Sequence, residues 1–287
     1  MTYAEAALLG FVQGATEFLP VSSSAHLVLA PWFFRFEDPG LTFDVALHFG
    51  TLLAIVGYFW KDWFHILSGS FHLIARCSSL VARGKGVAHE LEGSRTRITS
   101  DESASFNLFL WIIIGTIPAM IAGLLLDEWA ETTFRNPLLI AFNMAAMGFV
   151  LMVAGRKGKG HRHINHVNMK DGLWIGLSQC LALVPGVSRS GVTITAGLFR
   201  HMDRVTAARF SFLLATPITF GACLLKLPDF IDQGVSPPAL VGMGVSALTG
   251  FLCIKYLLRF VQKYSFDIFA YYRFVVALVI LGVWFIQ

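Results

Sequence analysis

The sequence is poor in charged residues, and this scarcity excludes a soluble globular domain. Only 14% of its 287 residues are charged and 55% are hydrophobic, whereas soluble domains carry about 25% charged residues. Runs long enough to cross a bilayer as helices occupy residues 41–60, 106–126, 136–154, 206–226, 238–258 and 268–286. The sequence therefore predicts an all-α polytopic membrane protein with six spanning helices.

Cysteine is also scarce, and no pattern of a cleavable signal peptide is visible in the opening residues. The four cysteines lie far apart, without the spacing of a metal site or of a disulfide framework, and are interpreted as small core residues (Cys77, Cys180, Cys223 and Cys253). The opening "MTYAEAALLG" has no basic segment of the kind that precedes a cleavable signal peptide. We therefore expect the first apolar segments themselves to direct insertion.

The distribution of charge predicts the topology and gives no sign of nucleic-acid binding. The net charge of +4 comes from basic residues that concentrate in four connections, at residues 61–105, 155–170, 200–204 and 255–263. Connections 127–136 and 227–238 hold five acidic residues and one basic residue. The positive-inside bias places the four basic connections in the cytoplasm and both termini outside. This topology requires residues 2–33 and 172–199 each to enter and leave the membrane on one side.

Residues 64–82 are the ambiguous part of this topology. They read "FHILSGSFHLIARCSSLVA" and are apolar enough to be considered as a seventh span. Ser68, Gly69, Ser70 and His72 interrupt the apolar pattern. We therefore expect a cytoplasmic interfacial helix here rather than a further span.

Two polar stretches repeat each other. Residues 11–26, "FVQGATEFLPVSSSAH", resemble residues 176–193, "GLSQCLALVPGVSRSGVT", and the likeness continues from "HFGTLLA" (48–54) to "RFSFLLA" (209–215). The corresponding residues are Gly10 and Gly176, Gln13 and Gln179, Pro20 and Pro185, and Ser22–Ser24 and Ser188–Ser190. With the charge bias, this predicts an inverted-topology repeat in a single integral membrane domain (1–287), with repeat one at 1–154 and repeat two at 171–287. Residues 61–105 and 155–170 are the predicted cytoplasmic loops.

Each repeated stretch predicts a re-entrant helix pair. Pro20 and Pro185 end the incoming helices because proline lacks an N–H and disfavours helical geometry in the preceding residue. The serines that follow are typical N-cap residues of a returning helix. Two helix N-termini then present free N–H groups and positive dipole ends, which bind anions. Arg189 adds a donor group suited to phosphate.

Several residues in these stretches could carry chemistry. Glu17 lies one helical turn after Gln13, so both share a face, and an ionisable residue within a spanning segment indicates function. His26 is three residues beyond Ser23 and is interpreted as an acid/base group. Ser22, Ser23 and Ser24 could be caps, phosphate ligands or a nucleophile, and their spacing does not rank these roles.

Two further groups of polar residues lie outside the repeated stretches. Asp44 and His48 share one face of the next helix and could border the site. The cluster "HRHINH" (161–166) lies in a basic loop with no carboxylate close by in the sequence. We interpret it as a solvated loop rather than a metal site.

The stretches "EFLPVSSSAH" and "PGVSRSG" resemble the two signature motifs of the undecaprenyl-diphosphate phosphatase family of bacterial membranes (UppP or BacA). The resemblance covers essentially the whole chain and implies hydrolysis of undecaprenyl diphosphate, which recycles the lipid carrier for cell-wall synthesis and confers bacitracin resistance. It implies a magnesium or calcium cofactor and a site that opens to the periplasmic side of the cell inner membrane. We expect membrane lipids as partners and no nucleic acid, and a homodimer stays open.

The resemblance assigns the roles residue by residue. Glu17, Ser23, His26 and Arg189 are the expected catalytic residues, and Glu17 is also the expected metal ligand. The resemblance also assigns Ser188 and Thr193 to substrate binding, and the two polar stretches add Gln13, Ser22, Ser24 and Ser190 as expected substrate-binding residues. The chain departs from the family at Gln13, where a Glu is common, because Gln supplies no negative charge and cannot act as a base. Magnesium often uses one or two carboxylates with substrate phosphates, so Glu17 alone is compatible with a cation.

Two mechanisms and one other function stay open on the sequence. In the first mechanism, Ser23 is activated by His26 and attacks the terminal phosphorus. In the second, a water held by Glu17 and His26 attacks the phosphorus directly. The alternative function is a secondary transporter or a lipid-carrier flippase that uses the same anion pocket, because inverted repeats with broken helices are typical of transporters.

Overall fold

The described part of the chain is almost entirely helical. The computed structural model describes residues 1–34, 36–37, 39–82, 100–131, 136–157, 160–232 and 236–286. Its helices are α1 (Tyr3–Phe18), α2 (Ser23–Phe34), α3 (Leu41–Tyr58), α4 (Trp60–Ala82), α5 (Ser100–Glu131), α6 (Pro137–Lys157), α7 (Met169–Gln179), α8 (Arg189–Phe199), α9 (Arg204–Leu225), α10 (Leu227–Asp232), α11 (Pro237–Lys263) and α12 (Asp267–Ile286). Two 3₁₀ turns, Ile164–His166 and Cys180–Leu183, flank α7.

Five of the six predicted spans are confirmed as helices long and apolar enough to cross a membrane. They are Glu102–Leu126, Pro137–Arg156, Arg204–Leu225, Pro237–Lys263 and Asp267–Ile286. Large apolar side chains stand exposed along them, among them Leu125, Phe142 and Leu278, as lipid-facing positions require. The chain is therefore a multi-pass membrane protein.

The remaining predicted span, residues 41–60, is part of a bent helix pair. The chain turns by 69° between Thr42–Tyr58 and Trp60–Ala75, and only the two segments together meet the criteria for a span. Residues 64–82 lie within the continuous helix α4, in agreement with the predicted helix, and Ser68, Gly69 and Ser70 are part of it. Ser70 turns its hydroxyl back to the Ile66 carbonyl, and Gly69 lies against Ser105 of α5. Connection 61–105 is thus largely helical up to Ala82.

The incoming helix of each repeated stretch packs against a long helix from elsewhere in the chain. α1 packs most extensively on α11, and α7 packs on α5. Gly10 approaches Gly242 so closely that an added Cβ would lie 2.3 Å from the Gly242 carbonyl oxygen. Gly176 approaches Gly115 with the same 2.3 Å clearance. Small residues permit such close backbone contact between membrane helices.

The prediction that the cysteines are core residues is confirmed for Cys223, whereas Cys180 and Cys253 are half-buried. Cys180, Cys223 and Cys253 are free thiols, and Cys223 is buried. The side chain of Cys77 lies outside the described residues. So do the basic residues between positions 83 and 99 and at position 159, for which a cytoplasmic location was predicted.

Candidate functional site

The two repeated stretches form matching turns. Ser22 and Ser188 both have positive φ angles, 73° and 76°, which non-glycine residues adopt at a cost of roughly 1–3 kcal/mol. Each is followed directly by a helix, α2 from Ser23 and α8 from Arg189. The Ser188 hydroxyl oxygen accepts from the Gly191 N–H at 3.1 Å, which confirms the predicted N-cap.

The ends of the incoming helices differ between the stretches. α1 ends at Phe18, and the extended Leu19 leads directly to Pro20, as predicted. α7 ends earlier, at Gln179, and a 3₁₀ turn fills the gap before Pro185. Pro185 therefore ends the broken segment rather than the α-helix itself.

The two turns contact each other directly. The Gly186 N–H donates to the Ser22 Oγ at 3.2 Å, and the Ser190 hydroxyl donates to the Leu19 carbonyl at 2.8 Å. Val21 and Ser22 in the first turn and Val187 and Ser188 in the second are buried, and the residue that follows each pair is half-buried. Irregular backbone at membrane depth is thus paired with protein donors and acceptors, as a non-aqueous surrounding demands.

Arg273 of α12 holds both turns. Its fully buried guanidinium donates to the carbonyls of Pro20 (3.1 Å), Gly186 (2.6 Å) and Val187 (3.2 Å). Further bonds reach two carbonyls of α6, those of Met144 and Asn143. Sequence reasoning missed Arg273, although a charged residue inside the apolar run 268–286 was a signal for it. Asn143, which donates to the Pro185 carbonyl at 2.9 Å, was also missed.

Glu17 is the centre of the polar cluster between the stretches. Its Oε2 accepts from the Ser23 hydroxyl at 2.6 Å and from Gln13 Nε2 at 3.0 Å. Its Oε1 accepts from Arg189 Nη2 at 2.6 Å. Arg189 also donates from Nη1 to the Thr219 hydroxyl at 3.1 Å. The structure therefore brings together Gln13, Glu17, Ser23 and Arg189, four of the predicted site residues.

His48 borders this cluster, as its position on α3 suggested. Its Nε2 lies 3.8 Å from Glu17 Oε2, and its Nδ1 bonds the Asp44 carbonyl at 2.8 Å. The His48 side chain is 37% exposed whereas that of Glu17 is 7% exposed. The carboxylate is thus enclosed, with the imidazole on its more open side.

The expected pairing of Ser23 with His26 is not formed. His26 Nδ1 lies 2.7 Å from the Ser22 carbonyl oxygen, and Nε2 lies 2.7 Å from the Tyr272 hydroxyl. The His26 and Tyr272 rings are stacked at 5.7 Å. Ser23 instead gives its hydroxyl to Glu17 because the turn at Ser22 directs the start of α2 back toward the end of α1. Tyr272 is another residue that sequence reasoning missed.

The other predicted substrate-binding residues lie around the cluster without contacting Glu17. The Thr193 hydroxyl bonds the Arg189 carbonyl at 2.7 Å and Ser211 at 2.6 Å, facing α9. Ser24 is exposed and places its Oγ 3.3 Å from that of Ser22. Ser188 and Ser190 have their Oγ atoms 3.2 Å apart. These hydroxyls shape the turns.

The donor set around Glu17 fits an oxygen-preferring divalent cation held jointly with a phosphate. Among the described residues no three His, Cys, Asp or Glu side chains gather at one point, so a cage made of protein ligands alone is not formed there. The Gln13 Oε1 is buried without a hydrogen-bond partner beside Glu17. One carboxylate and one amide oxygen, completed by water and substrate phosphate, are a known way of binding magnesium.

The three histidines of the cluster at 161–166 are exposed, as predicted for a solvated loop, but Arg162 and His163 pair with carboxylates that the prediction did not foresee. Arg162 donates to Asp171 Oδ1 at 3.1 Å and to Oδ2 at 2.5 Å, and Arg200 Nε donates to Oδ1 at 2.8 Å. His163 Nδ1 lies 2.9 Å from an Asp203 oxygen. Asp171 is distant in sequence from Arg200, and Asp203 is distant from His163. The local sequence pattern therefore did not reveal these pairings.

Asp171 is ionised in this network. Its burial alone would raise the pKa of the carboxyl group, but the hydrogen bonds from Arg162 and Arg200 outweigh that effect. The pKa is held below its ordinary value of 3.8. The charged form is thus stabilised by two guanidinium groups at once.

Comparison with known proteins places these features in a family. The model of the family described as "Bacitracin resistance protein BacA" matches residues 6–279. The chain is 45% identical over 287 residues, with both chains fully covered, to a protein of Moorella thermoacetica named undecaprenyl-diphosphatase. Proteins of the same name from Pelotomaculum thermopropionicum and Gemmatimonas aurantiaca are 44% and 43% identical, each over 98% of this chain and 96% and 97% of theirs. The chain belongs to the bacitracin resistance protein BacA family.

Proposed function

We propose that this protein hydrolyses undecaprenyl diphosphate to undecaprenyl phosphate and inorganic phosphate. This reaction recycles the lipid carrier for cell-wall synthesis and confers resistance to bacitracin. Membership of the BacA family and relatives named undecaprenyl-diphosphatase support the activity. The observation that carries it to particular residues is the 2.6 Å bond from the Ser23 hydroxyl to Glu17, a carboxylate that also binds Arg189.

The first step is attack by Ser23 on the terminal phosphorus. The Ser23 Oγ bonds to phosphorus, the bridging P–O bond breaks, and undecaprenyl phosphate leaves. Glu17 Oε2 takes the hydroxyl proton, because it already accepts that hydrogen bond. Arg189 supplies positive charge beside the phosphate oxygens, and such charge stabilisation is the main requirement of phosphoryl transfer.

The second step hydrolyses the phosphoserine. Water bonds to phosphorus, the Ser23 Oγ–P bond breaks, and Glu17 returns its proton to Ser23. His26 receives the proton that the water loses. Glu17 and Gln13 are the residues that would hold a magnesium or calcium ion, which when bound neutralises charge on the diphosphate.

The matching turns support a diphosphate pocket between two re-entrant pairs, α1–α2 and α7–α8, related by the inverted repeat. The shared positive φ angles of Ser22 and Ser188 and the twin glycine crossings on α11 and α5 are the supporting observations. The charge bias of the connections favours a periplasmic opening. A reporter fused after Gln287 is then expected outside the cytoplasm, and a cytoplasmic reporter would contradict this topology.

The test of the activity is phosphate release from undecaprenyl diphosphate by purified protein in detergent. Magnesium, calcium and chelator are compared for the wild type, Glu17→Ala and Arg189→Ala. We expect cation-dependent release that both substitutions reduce at least 100-fold, roughly the share of a catalytic acid–base group or oxyanion donor. Detergent removes the two compartments that transport needs. A folded wild-type protein without hydrolysis would therefore contradict the proposal and favour the transporter or flippase.

A further inference from the structure

The hydrogen bonds of His26 fix which nitrogen carries its proton. The partner of Nδ1 at 2.7 Å is the Ser22 carbonyl oxygen, which can only accept, so Nδ1 must carry the hydrogen. In the neutral ring Nε2 is then an acceptor. The Tyr272 hydroxyl at 2.7 Å from Nε2 is therefore the donor of that bond.

This pairing leaves His26 no ring nitrogen of its own for a reacting water. One nitrogen is committed to backbone, and the other is capped by the Tyr272 hydroxyl. A proton reaches Nε2 either after the Tyr272 bond breaks or through the Tyr272 oxygen. Tyr272 is 43% exposed as a residue, and a relay requires that its oxygen meet a water that His26 does not contact.

Tyr272 is also held firmly relative to the turns. Its neighbour Arg273 is fully buried and bonds the Pro20, Gly186 and Val187 carbonyls. The stacked rings at 5.7 Å and 12° between their planes restrict His26 further. Such fixed donor–acceptor geometry suits proton transfer.

We propose that Tyr272 is a catalytic residue that relays a proton from the attacking water to His26 in the phosphoserine hydrolysis of the proposed function. As water attacks phosphorus, its proton passes to the Tyr272 oxygen while the Tyr272 hydroxyl proton passes to His26 Nε2. Tyr272 is neutral before and after the step, and His26 becomes an imidazolium ion. The imidazolium returns its proton to solvent by the reverse path once phosphate has left.

The test compares Tyr272→Phe with Tyr271→Phe in detergent. Tyr271 is the adjacent residue, 54% exposed, and its substitution removes the same hydroxyl from a ring that does not contact His26 in the described structure. We expect Tyr272→Phe to lower kcat between about 10- and 100-fold, part of the usual acid–base contribution, with KM nearly unchanged. Tyr271→Phe is expected to keep wild-type values.

Two further readouts separate a relay from a merely structural role. In mixtures of light and heavy water, the hydrolysis rate of the wild type should curve with deuterium content because two protons move together, and that of Tyr272→Phe should be linear. In a His26→Asn background, where the amide can still donate to the Ser22 carbonyl, Tyr272→Phe should cause no additional loss.

A wild-type kcat in Tyr272→Phe, an unchanged curve in heavy water, or fully additive losses with His26→Asn would each overturn the relay. Inactivity of the wild type and of Tyr271→Phe would instead count against the proposed function itself. Thermal melting of each variant identifies a misfolded protein. If Tyr272→Phe is misfolded, Tyr272→Leu, which also lacks the hydroxyl, replaces it in the same comparison.

Discussion

At the residue scale, Glu17 shows how a carboxylate is kept at membrane depth. Burying an isolated charge is costly, and Glu17 is held by donors from Gln13, Ser23 and Arg189. Its pairing with Gln13 could be predicted, because four residues make one helical turn. The pairing with Ser23 could not, since it depends on the turn at Ser22 that reverses the chain.

Gln13→Glu is expected to strengthen divalent-cation binding. The substitution places a second carboxylate beside Glu17 where the chain now has a Gln amide, and two carboxylates attract a cation more strongly than one. Calorimetric titration with magnesium and with calcium should give at least about a 10-fold lower Kd than the wild type, about 1.4 kcal/mol of binding free energy. Without cation, mutual repulsion should lower the melting temperature.

Gln179→Glu is the matched control for this change. Gln179 is the corresponding buried residue of the second repeat, but the position that corresponds to Glu17 is Leu183. The Gln179→Glu variant should therefore gain no cation affinity. Equal gains in both variants, or none in Gln13→Glu, would contradict the assignment of the cation to Glu17 and Gln13.

At the element scale, hydropathy predicted where the spans lie, and it did not predict how they bend and cross. The 69° bend at the end of α3 follows Gly57 by two residues, but an isolated glycine in an apolar run does not predict the size or direction of a bend. The glycine crossings of α1 with α11 and of α7 with α5 join segments far apart in the chain. Short-range periodicity carries no information on such partners.

Gly10→Ala is expected to destabilise the protein although alanine favours helices. The added methyl group would lie 2.3 Å from the Gly242 carbonyl oxygen of α11, and overpacking of this kind costs about 1–3 kcal/mol. Gly244→Ala is the control, because an added Cβ there meets no atom within 4 Å. Melting in detergent should fall for the first variant and stay level or rise for the second. Equal melting temperatures would show that this crossing is looser than described.

At the scale of the whole molecule, polar links join connections that the sequence presents as separate. Asp171 ties residues 162 and 200 together, and Arg273 ties α12 to both turns. The membrane class, the family and the two repeated stretches could be predicted, because composition and motif are local properties. These links span up to 253 residues of sequence, and a single sequence offers no pattern for them.

The Asp171 network predicts a loss of stability in acid. Because the folded pKa of Asp171 lies below its ordinary value of 3.8, its stabilisation is complete above that value. It is lost as the pH falls through the folded pKa. Asp171→Asn should lower the unfolding free energy by on the order of 3 kcal/mol near neutral pH, as for a broken buried ion pair. The difference in unfolding free energy between wild type and variant should narrow as the pH drops below 3.8. A difference in unfolding free energy that does not change with pH would contradict the stabilising role of the Asp171 charge.

The most direct test of the central claim is a search for the phosphoserine. Undecaprenyl diphosphate labelled at its terminal phosphorus is mixed with enzyme, and the reaction is quenched in acid within one turnover. The account predicts label on Ser23 in the wild type, more label in His26→Asn because hydrolysis is slowed, and none in Ser23→Ala, which should be inactive. Ser23→Ala protein with full activity would contradict the covalent route and make Ser23 a phosphate ligand for a direct attack by water.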